Sequence, residues 1–182
     1  MKVPGGIDLN LIREKAKTKR LLLVVSVIGV LLLAGCSSAA PTGNIVYEGN
    51  QTIPTLTTGF GIYGSKVEFN GVYPGWSGTV PLTIVNGQDR DRLFRISVVS
   101  PANPKTGYDA LPQQYLYWIT ISQPTITVLK GGNFQVPITL AMPADSDYKG
   151  KKAEVRILVE DTTQTGLVQI AVESRWFIVT AD

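Results

Sequence analysis

Short runs in which apolar and polar residues alternate fill the chain from about residue 59 to its end. In a typical run, Val80, Leu82 and Ile84 are separated by Pro81 and Thr83. Because successive side chains of a strand point to opposite faces of a sheet, this period of two places the apolar residues on one face. The runs lie at residues 67–69, 80–84, 94–98, 119–121, 126–128, 136–142, 155–159, 168–172 and 176–180.

These runs predict an all-β fold of about eight short strands separated by turn residues. Most of their apolar members are β-branched or aromatic, as half-buried strands prefer, and no segment after the N-terminal region has helical periodicity. A two-layer sandwich fits the number and length of the strands better than a closed barrel does. We expect residues 59–182 to form this one domain.

Turn residues refine the expected strand map. Asn70-Gly71 predicts a tight turn, and Asn86-Gly87 ends the run that begins at Val80. Pro81 and Pro137 interrupt two of the runs. Because proline cannot donate a ladder hydrogen bond, these two positions indicate sheet edges, bulges or strand starts, or else an irregular beginning of a strand.

The N-terminal region has the pattern of a secretory signal. Residues 21–33 contain no charged residue, and basic residues from Lys15 to Arg20 precede them. We therefore assign residues 1–35 to a signal peptide. The alternative is an uncleaved membrane anchor, because the apolar stretch has about the length that spans a bilayer. Both interpretations place the rest of the chain outside the cytosol, since basic flanks stay inside.

Cys36, the only cysteine in the chain, follows this apolar stretch directly. The sequence Leu33-Ala34-Gly35-Cys36 resembles the lipobox of bacterial lipoproteins. The resemblance implies cleavage between Gly35 and Cys36, and attachment of diacylglycerol to the Cys36 thiol. It also implies a lipid-anchored protein on the extracytoplasmic face of the cell membrane or the outer membrane.

Residues 36–58 are small, polar and interrupted by proline and glycine. This composition has little to bury and predicts a flexible tether between the anchor and the domain. A short strand at residues 45–47 is the one element expected within it.

Composition excludes several functional classes. Residues 36–182 carry eleven basic and twelve acidic residues, so the +3 charge of the whole chain comes from its N-terminal region and gives no basis for nucleic-acid binding. The chain has no histidine, which removes the commonest general base and most catalytic zinc sites. We expect no enzymatic activity, no metal and no cofactor.

Two stretches of similar design carry a resemblance to immunoglobulin-like sandwiches of bacterial surfaces. The first is Tyr73-Pro74-Gly75-Trp76, followed by the 80–84 run and Asn86. The second is Leu129-Lys130-Gly131-Gly132, followed by the 136–140 run and Met142-Pro143-Ala144-Asp145. The resemblance covers roughly residues 60–180 and implies a sandwich of two sheets, as in pilus-chaperone-like and sperm-protein-like domains.

The sheet edges, which can accept a partner strand, and the long connection at residues 100–118 are the candidates for a binding surface. The connection contains Tyr108, Tyr115 and Tyr117, whose rings could contact a glycan or a protein partner. Alternatively, these aromatic residues cover one end of the core, and Trp118 at the start of a strand is expected to be buried. The charged run from Asp89 to Arg92 is expected to be a solvated connection.

Together these features predict a lipid-anchored cell-envelope protein whose sandwich serves as a binding or scaffolding module for an envelope protein partner. A glycan- or cell-wall-binding module is the alternative function. An uncleaved single-pass membrane protein with the same external domain is the alternative topology.

Overall fold

A computed structural model of the protein describes residues 43–48, 56, 58–163 and 170–182. The signal peptide assigned to residues 1–35 and the motif Leu33-Ala34-Gly35-Cys36, with its cleavage and lipidation site, lie outside these described residues. All described residues belong to one compact unit, Pro41–Asp182. No helix within the described ranges is long and apolar enough to cross a membrane.

Eleven strands and one short 3₁₀ helix, Gln113–Trp118, make up the described secondary structure. The larger sheet contains β1 (Asn44–Glu48), β3 (Lys66–Val72), β5 (Arg92–Val99), β6 (Asp109–Ala110), β8 (Thr125–Val128), β10 (Lys152–Asp161) and β11 (Ala171–Thr180). The smaller sheet contains β2 (Phe60–Tyr63), β4 (Ser77–Asn86), β7 (Ile119–Ile121) and β9 (Asn133–Ala141).

The predicted all-β, two-sheet sandwich is confirmed. The larger sheet has the order β1-β3-β11-β10-β5-β8, with β6 beside the start of β10, and the smaller sheet has the order β2-β4-β9-β7. The short strand expected at residues 45–47 is present as β1, whereas β2 and β6 were not predicted.

The core consists mainly of the apolar residues that alternate with polar residues along each strand. Val80, Leu82 and Ile84 of β4 are buried, and so are Val136, Ile138 and Leu140 of β9. The larger sheet contributes alternate residues in the same way, with Phe69, Trp176 and Ile157 fully buried. The two sheets therefore pack through their inner faces, as expected for a β-sandwich.

The tight turn predicted at Asn70-Gly71 was wrong. β3 continues through both residues, and Gly71 is an extra residue relative to β11, because Asn70 pairs with Val179 and Val72 with Thr180. Gly71 has φ 70°, the left-handed conformation that a glycine at a bulge adopts. The chain turns instead at Tyr73-Pro74-Gly75-Trp76, the turn identified from the sequence, where the Trp76 N–H donates to the Tyr73 carbonyl at 2.9 Å.

The two strand prolines lie opposite each other in the middle of the smaller sheet, and not at its edges. Pro81 of β4 pairs in register with Pro137 of β9. Neither needs an N–H there. β2 ends opposite Thr83, so Pro81 occupies a local edge, whereas the residue after β7, Ser122, donates its N–H to the Pro137 carbonyl at 3.1 Å. Pro137 therefore accepts a hydrogen bond on that side, and no ladder bond among the described strands requires a donor from either proline.

The expectation of a fully solvated run from Asp89 to Arg92 was wrong at its last residue. Arg92 begins β5, and its side chain is only 2% exposed. Its Nη1 lies 2.9 Å from Oδ2 of Asp161, which is equally buried at the end of β10. A charge that would be costly to bury alone is therefore paired inside the sandwich.

Candidate partner-binding surface

The described strands of the smaller sheet contain no charged residue. None of its strands β2, β4, β7 and β9 contains Asp, Glu, Lys or Arg. The apolar residues of β4 and β9 point into the core, so their alternate neighbours point outward. We call this outer surface the neutral face. It is defined by Thr79, Pro81, Thr120, Gln135, Pro137 and Thr139.

The neutral face is built from rows of small polar and proline side chains. Thr120, Thr139 and Thr79 lie side by side across three strands, and the hydroxyls of Thr79 and Thr139 are 2.8 Å apart. Pro81 and Pro137 form the next row. Such a face can contribute hydrogen bonds without the cost of stripping water from an ion.

The outer side of the larger sheet is the opposite in character. Each of its strands except β8 carries at least one charged residue. The ions there are paired with one another: Arg95 with Glu160 at 2.9 Å, and Arg156 with Glu173 at 2.8 Å. The two faces of the sandwich therefore offer very different surfaces to a partner.

The connection at residues 100–118 folds back over the larger sheet, where Glu154 holds it. The Lys105 N–H donates to the Glu154 carboxylate at 2.6 Å, and Arg175 donates to both carboxylate oxygens at 2.9 and 3.0 Å. Burial raises the pKa of Glu154, but these hydrogen bonds, the Arg175 charge and a further bond from Arg156 outweigh it and lower the pKa below its ordinary value. Glu154 therefore remains ionised and fixes the connection to the sheet.

Tyr108 belongs to this covering layer. Its ring packs edge-on against Phe177 with centroids 4.9 Å apart, and Phe177 is buried although it lies on the outer side of β11. The Nζ of Lys105 lies 5.1 Å from the centre of the Phe177 ring and 5.5 Å from that of Tyr108. Tyr108 thus shields the sheet and does not form a free aromatic platform.

Tyr115 and Tyr117 lie on the 3₁₀ helix at one end of the core. Tyr115 stacks on Trp118 at 4.6 Å and also contacts Tyr148 at 5.3 Å, and Trp118 is buried as predicted. Burial raises the pKa of Tyr148, and the nearby charges of Asp109 and Tyr115 add to that effect. Tyr117 alone among these aromatics is largely exposed, at 68%.

The three predicted site residues therefore do not form one flat surface. Tyr115 and Tyr117 both contact Trp118, whereas Tyr108 contacts Phe177. A glycan platform needs several exposed, coplanar rings, and the burial of Trp118 and the partial burial of Tyr115 weigh against it. The alternative interpretation, in which the aromatic residues cover one end of the core, describes Tyr115 and Trp118 well.

The neutral face was not identified from the sequence. A signal existed, because residues 77–86 and 133–141 contain no charge although each run is nine or ten residues long. What the alternation could not provide was the pairing of these two runs as neighbours. Within the described ranges, no group of three or more His, Cys, Asp or Glu side chains is placed to hold a metal ion.

No family model and no curated protein matches the chain. Among solved structures, the chain is similar to a PapD-like domain of human CEP192 (16% identity, 72% of this chain and 91% of that chain, TM-score 0.49). It is also similar to the periplasmic chaperone SfaE (12% identity, 68% and 59%, TM-score 0.47). A third similar structure is a candidate carbohydrate binding protein from Bacteroides ovatus (14% identity, 64% and 35%, TM-score 0.50).

The fold is an immunoglobulin-like β-sandwich. This assignment rests on the two packed sheets and their strand orders. It agrees with the resemblance based on the two turn stretches, Tyr73-Pro74-Gly75-Trp76 and Leu129-Lys130-Gly131-Gly132. The chain covers 59% of the chaperone and 35% of the Bacteroides protein. At these identities the likeness describes the fold alone.

Proposed function

We propose that this protein is a lipid-anchored component of the cell envelope whose sandwich binds a protein partner through the neutral face. The observation that carries the proposal is the absence of charge from the described strands β2, β4, β7 and β9, beside a larger sheet that is densely charged. The outer side of the smaller sheet is open at the residues of the neutral face and covered farther along β4, at Thr83 and Val85. Protein interfaces are depleted of charged residues at their centres. The outer face of a sheet can also pack face to face against another weakly charged sheet.

The partner that fits this face is a protein with a weakly charged surface. Thr79, Thr120 and Gln135 are exposed and can donate or accept hydrogen bonds across an interface. The exposed rings of Pro81 and Pro137 add rigid apolar area at its centre. Long cationic side chains, whose immobilisation costs conformational entropy on binding, are absent from this face.

Support for the lipid anchor comes from the N-terminal sequence alone. The apolar stretch, its basic flank and the motif Leu33-Ala34-Gly35-Cys36 support a cleaved signal with an acylated Cys36. A single acyl chain binds a membrane only marginally, whereas two or more chains give stable retention. The sandwich would then work at a membrane surface, where its partner is held at the same interface.

A pair of matched charge substitutions tests the neutral face. Thr120→Glu adds a carboxylate to the neutral face on β7, and Thr127→Glu adds the same group to an exposed position of β8 in the larger sheet. We expect Thr120→Glu to weaken partner binding about tenfold or more, because it buries an unpaired charge in the interface. Thr127→Glu should leave binding unchanged. The measurement is quantitative cross-linking of the full-length protein in membranes, followed by mass spectrometry of the attached protein.

Gln135→Glu adds a second, nearly isosteric test on β9. It changes the charge with almost no change in shape, so a loss of cross-linked partner would not be caused by misfolding. Equal partner recovery from all three variants and wild type would contradict binding through this face.

The anchor is tested separately by intact-mass analysis of membrane-extracted protein. We expect the wild-type protein to begin at Cys36 and to carry acyl mass. Cys36→Ala should carry none. A wild-type protein that retains residues 1–35 and carries no acyl group would rule out the lipoprotein assignment.

A further inference from the structure

β1 forms an outer edge of the larger sheet and is the longest of the strands that end the two strand orders. It has five residues, whereas β2 and β8 have four and β7 has three. Natural edge strands are commonly protected by lysine, proline or a bulge. Residues 43–48 contain neither lysine nor proline, and the pairing of β1 with β3 is regular over all five residues.

The backbone groups of β1 divide cleanly between the sheet and the open edge. The Arg175 N–H of β11 donates to the Ser65 carbonyl at 2.8 Å, so the odd-numbered residues of β3 face β11. The even-numbered residues of β3, such as Glu68, therefore face β1 and bond to Val46 and its even-numbered neighbours. This leaves the N–H and C=O groups of Ile45 and Tyr47 pointing to the open side, where no other described strand pairs with them.

This open edge is complementary to itself. When two copies of β1 run antiparallel with Val46 opposite Val46, Ile45 of each copy lies opposite Tyr47 of the other. The alternation on β1 makes these the hydrogen-bonded pairs, so all four free N–H groups find a carbonyl. An aromatic residue opposite a β-branched residue is a favourable cross-strand pair.

The exposed apolar surface of β1 agrees with this pairing. Val46 and Tyr47 are 40% and 39% exposed, and both belong to the small set of large apolar residues that the described part of the chain leaves open to solvent. An antiparallel neighbour would place Val46 beside Val46 in a non-hydrogen-bonded pair, the closest kind of cross-strand contact.

From this geometry we propose that two copies of the protein associate through β1, joining their larger sheets into one continuous sheet around a two-fold axis at Val46. A two-fold arrangement uses the same patch on both copies and closes at a dimer. The association uses a different surface from the neutral face, which remains free on both copies. Its test is therefore independent of the partner-binding proposal.

Disulfide trapping of the full-length protein tests the register. In the proposed dimer the two Val46 Cα atoms are about 4.5 Å apart, within the range that a disulfide spans. We expect Val46→Cys to form a linked dimer under mild oxidation. Wild type, which reports any background from Cys36, and Thr127→Cys, on the opposite edge strand β8, should remain mostly unlinked.

Tyr47→Pro tests the hydrogen bonds of the open edge. The Tyr47 N–H points away from β3, so proline there removes a donor that the single copy does not use. We expect the detergent-solubilised wild type to have the mass of a dimer by light scattering and Tyr47→Pro that of a monomer, with similar melting temperatures. A monomeric wild type, or linking of Val46→Cys no greater than that of Thr127→Cys, would overturn the proposal.

Discussion

Glu154 shows how one buried carboxylate fixes a whole connection. Its carboxylate accepts hydrogen bonds from Arg175, Arg156 and the Lys105 backbone, and its own carbonyl accepts the Leu111 N–H at 2.8 Å. Glu154→Gln keeps the shape but removes the charge. Since hydrogen bonds to a charged group contribute about 1.5–3 kcal/mol, we expect a loss of about 2 kcal/mol in the free energy of unfolding, measured by urea titration at pH 7.

The pH dependence of that loss follows from the sign of the pKa shift. The folded pKa of Glu154 is lowered, so its stabilising contribution is full above the ordinary glutamate pKa and disappears as the pH falls through the folded value. The difference in unfolding free energy between wild type and Glu154→Gln should therefore shrink as the pH falls below about 4. A difference that stays constant down to pH 2 would contradict the assigned role.

The buried pair of Arg92 and Asp161 gives a second prediction at the scale of single residues. Asp161→Ala leaves the guanidinium of Arg92 buried without its partner, and breaking such a pair costs about 3–5 kcal/mol. Replacing both residues, as Arg92→Met with Asp161→Leu, removes the unpaired charge. We expect the double variant to unfold at a higher urea concentration than Asp161→Ala alone. A double variant that is less stable than Asp161→Ala would show that the pair is needed as ions.

At the scale of elements, Gly78 leaves the space in which β1 of the larger sheet packs against β4 of the smaller sheet. A Cβ atom at Gly78 would lie 2.8 Å from Cζ2 of Trp76 and 2.9 Å from Cδ1 of Ile45, closer than carbon atoms approach. Because the Trp76 ring is held in the core and cannot retreat, Gly78→Ala should cost about 1–3 kcal/mol of stability by overpacking.

Gly61→Ala is the matched control for that substitution. Gly61 is also a strand glycine, but the nearest atom to its added Cβ is Cδ1 of Leu56 at 3.0 Å, the end of a flexible side chain. We expect its urea midpoint to move much less than that of Gly78→Ala. Equal shifts in the two variants would mean that contact with Trp76 is not the cause.

The elements also show what the sequence could and could not predict. Alternation located the long strands because β4, β9 and β10 each bury one face. It failed at Asn70-Gly71, since a glycine that supplies a bulge looks the same in sequence as one that supplies a hairpin turn. The pairing of Pro81 with Pro137 could not be predicted either, because the sheet tolerates these prolines only as a result of where β2 and β7 end.

At the scale of the whole molecule, the candidate surfaces arise from pairings between distant segments. The neutral face needs β4 beside β9, which are about fifty residues apart in the chain. Topology separates the aromatic residues of the 100–118 connection in the same way: Tyr108 and Tyr115 are near each other in sequence, but one covers the larger sheet and the other closes the end of the core. Local patterns report which residues face outward, and topology decides which of them meet.

Domain extent is the last property that depends on the whole chain. The composition of residues 36–58 predicts a tether, yet β1 within it adds a strand beside β3 and brings Ile45 against the core. Gly43 packs directly against the indole ring of Trp76, so closely that a Cβ atom there would overlap the ring, and Trp76 is mostly buried. We expect a fragment of residues 59–182 to be less stable than a fragment of residues 43–182 by about 2 kcal/mol or more, since it uncovers apolar surface worth at least one buried aliphatic side chain.

Removing β1 would also expose the edge of β3 and the Trp76 ring together. Thermal unfolding and tryptophan emission measure both consequences: the shorter fragment should melt at a lower temperature, and its emission should shift to longer wavelength because Trp76 contacts water. A Trp76→Phe version of each fragment separates this residue from the other two tryptophans. If the two fragments have the same melting temperature, β1 contributes little to the fold and the functional domain begins after residue 58. If they differ as expected, the strand nearest to the proposed anchor is part of the folded body, and the tether is shorter than its composition suggests.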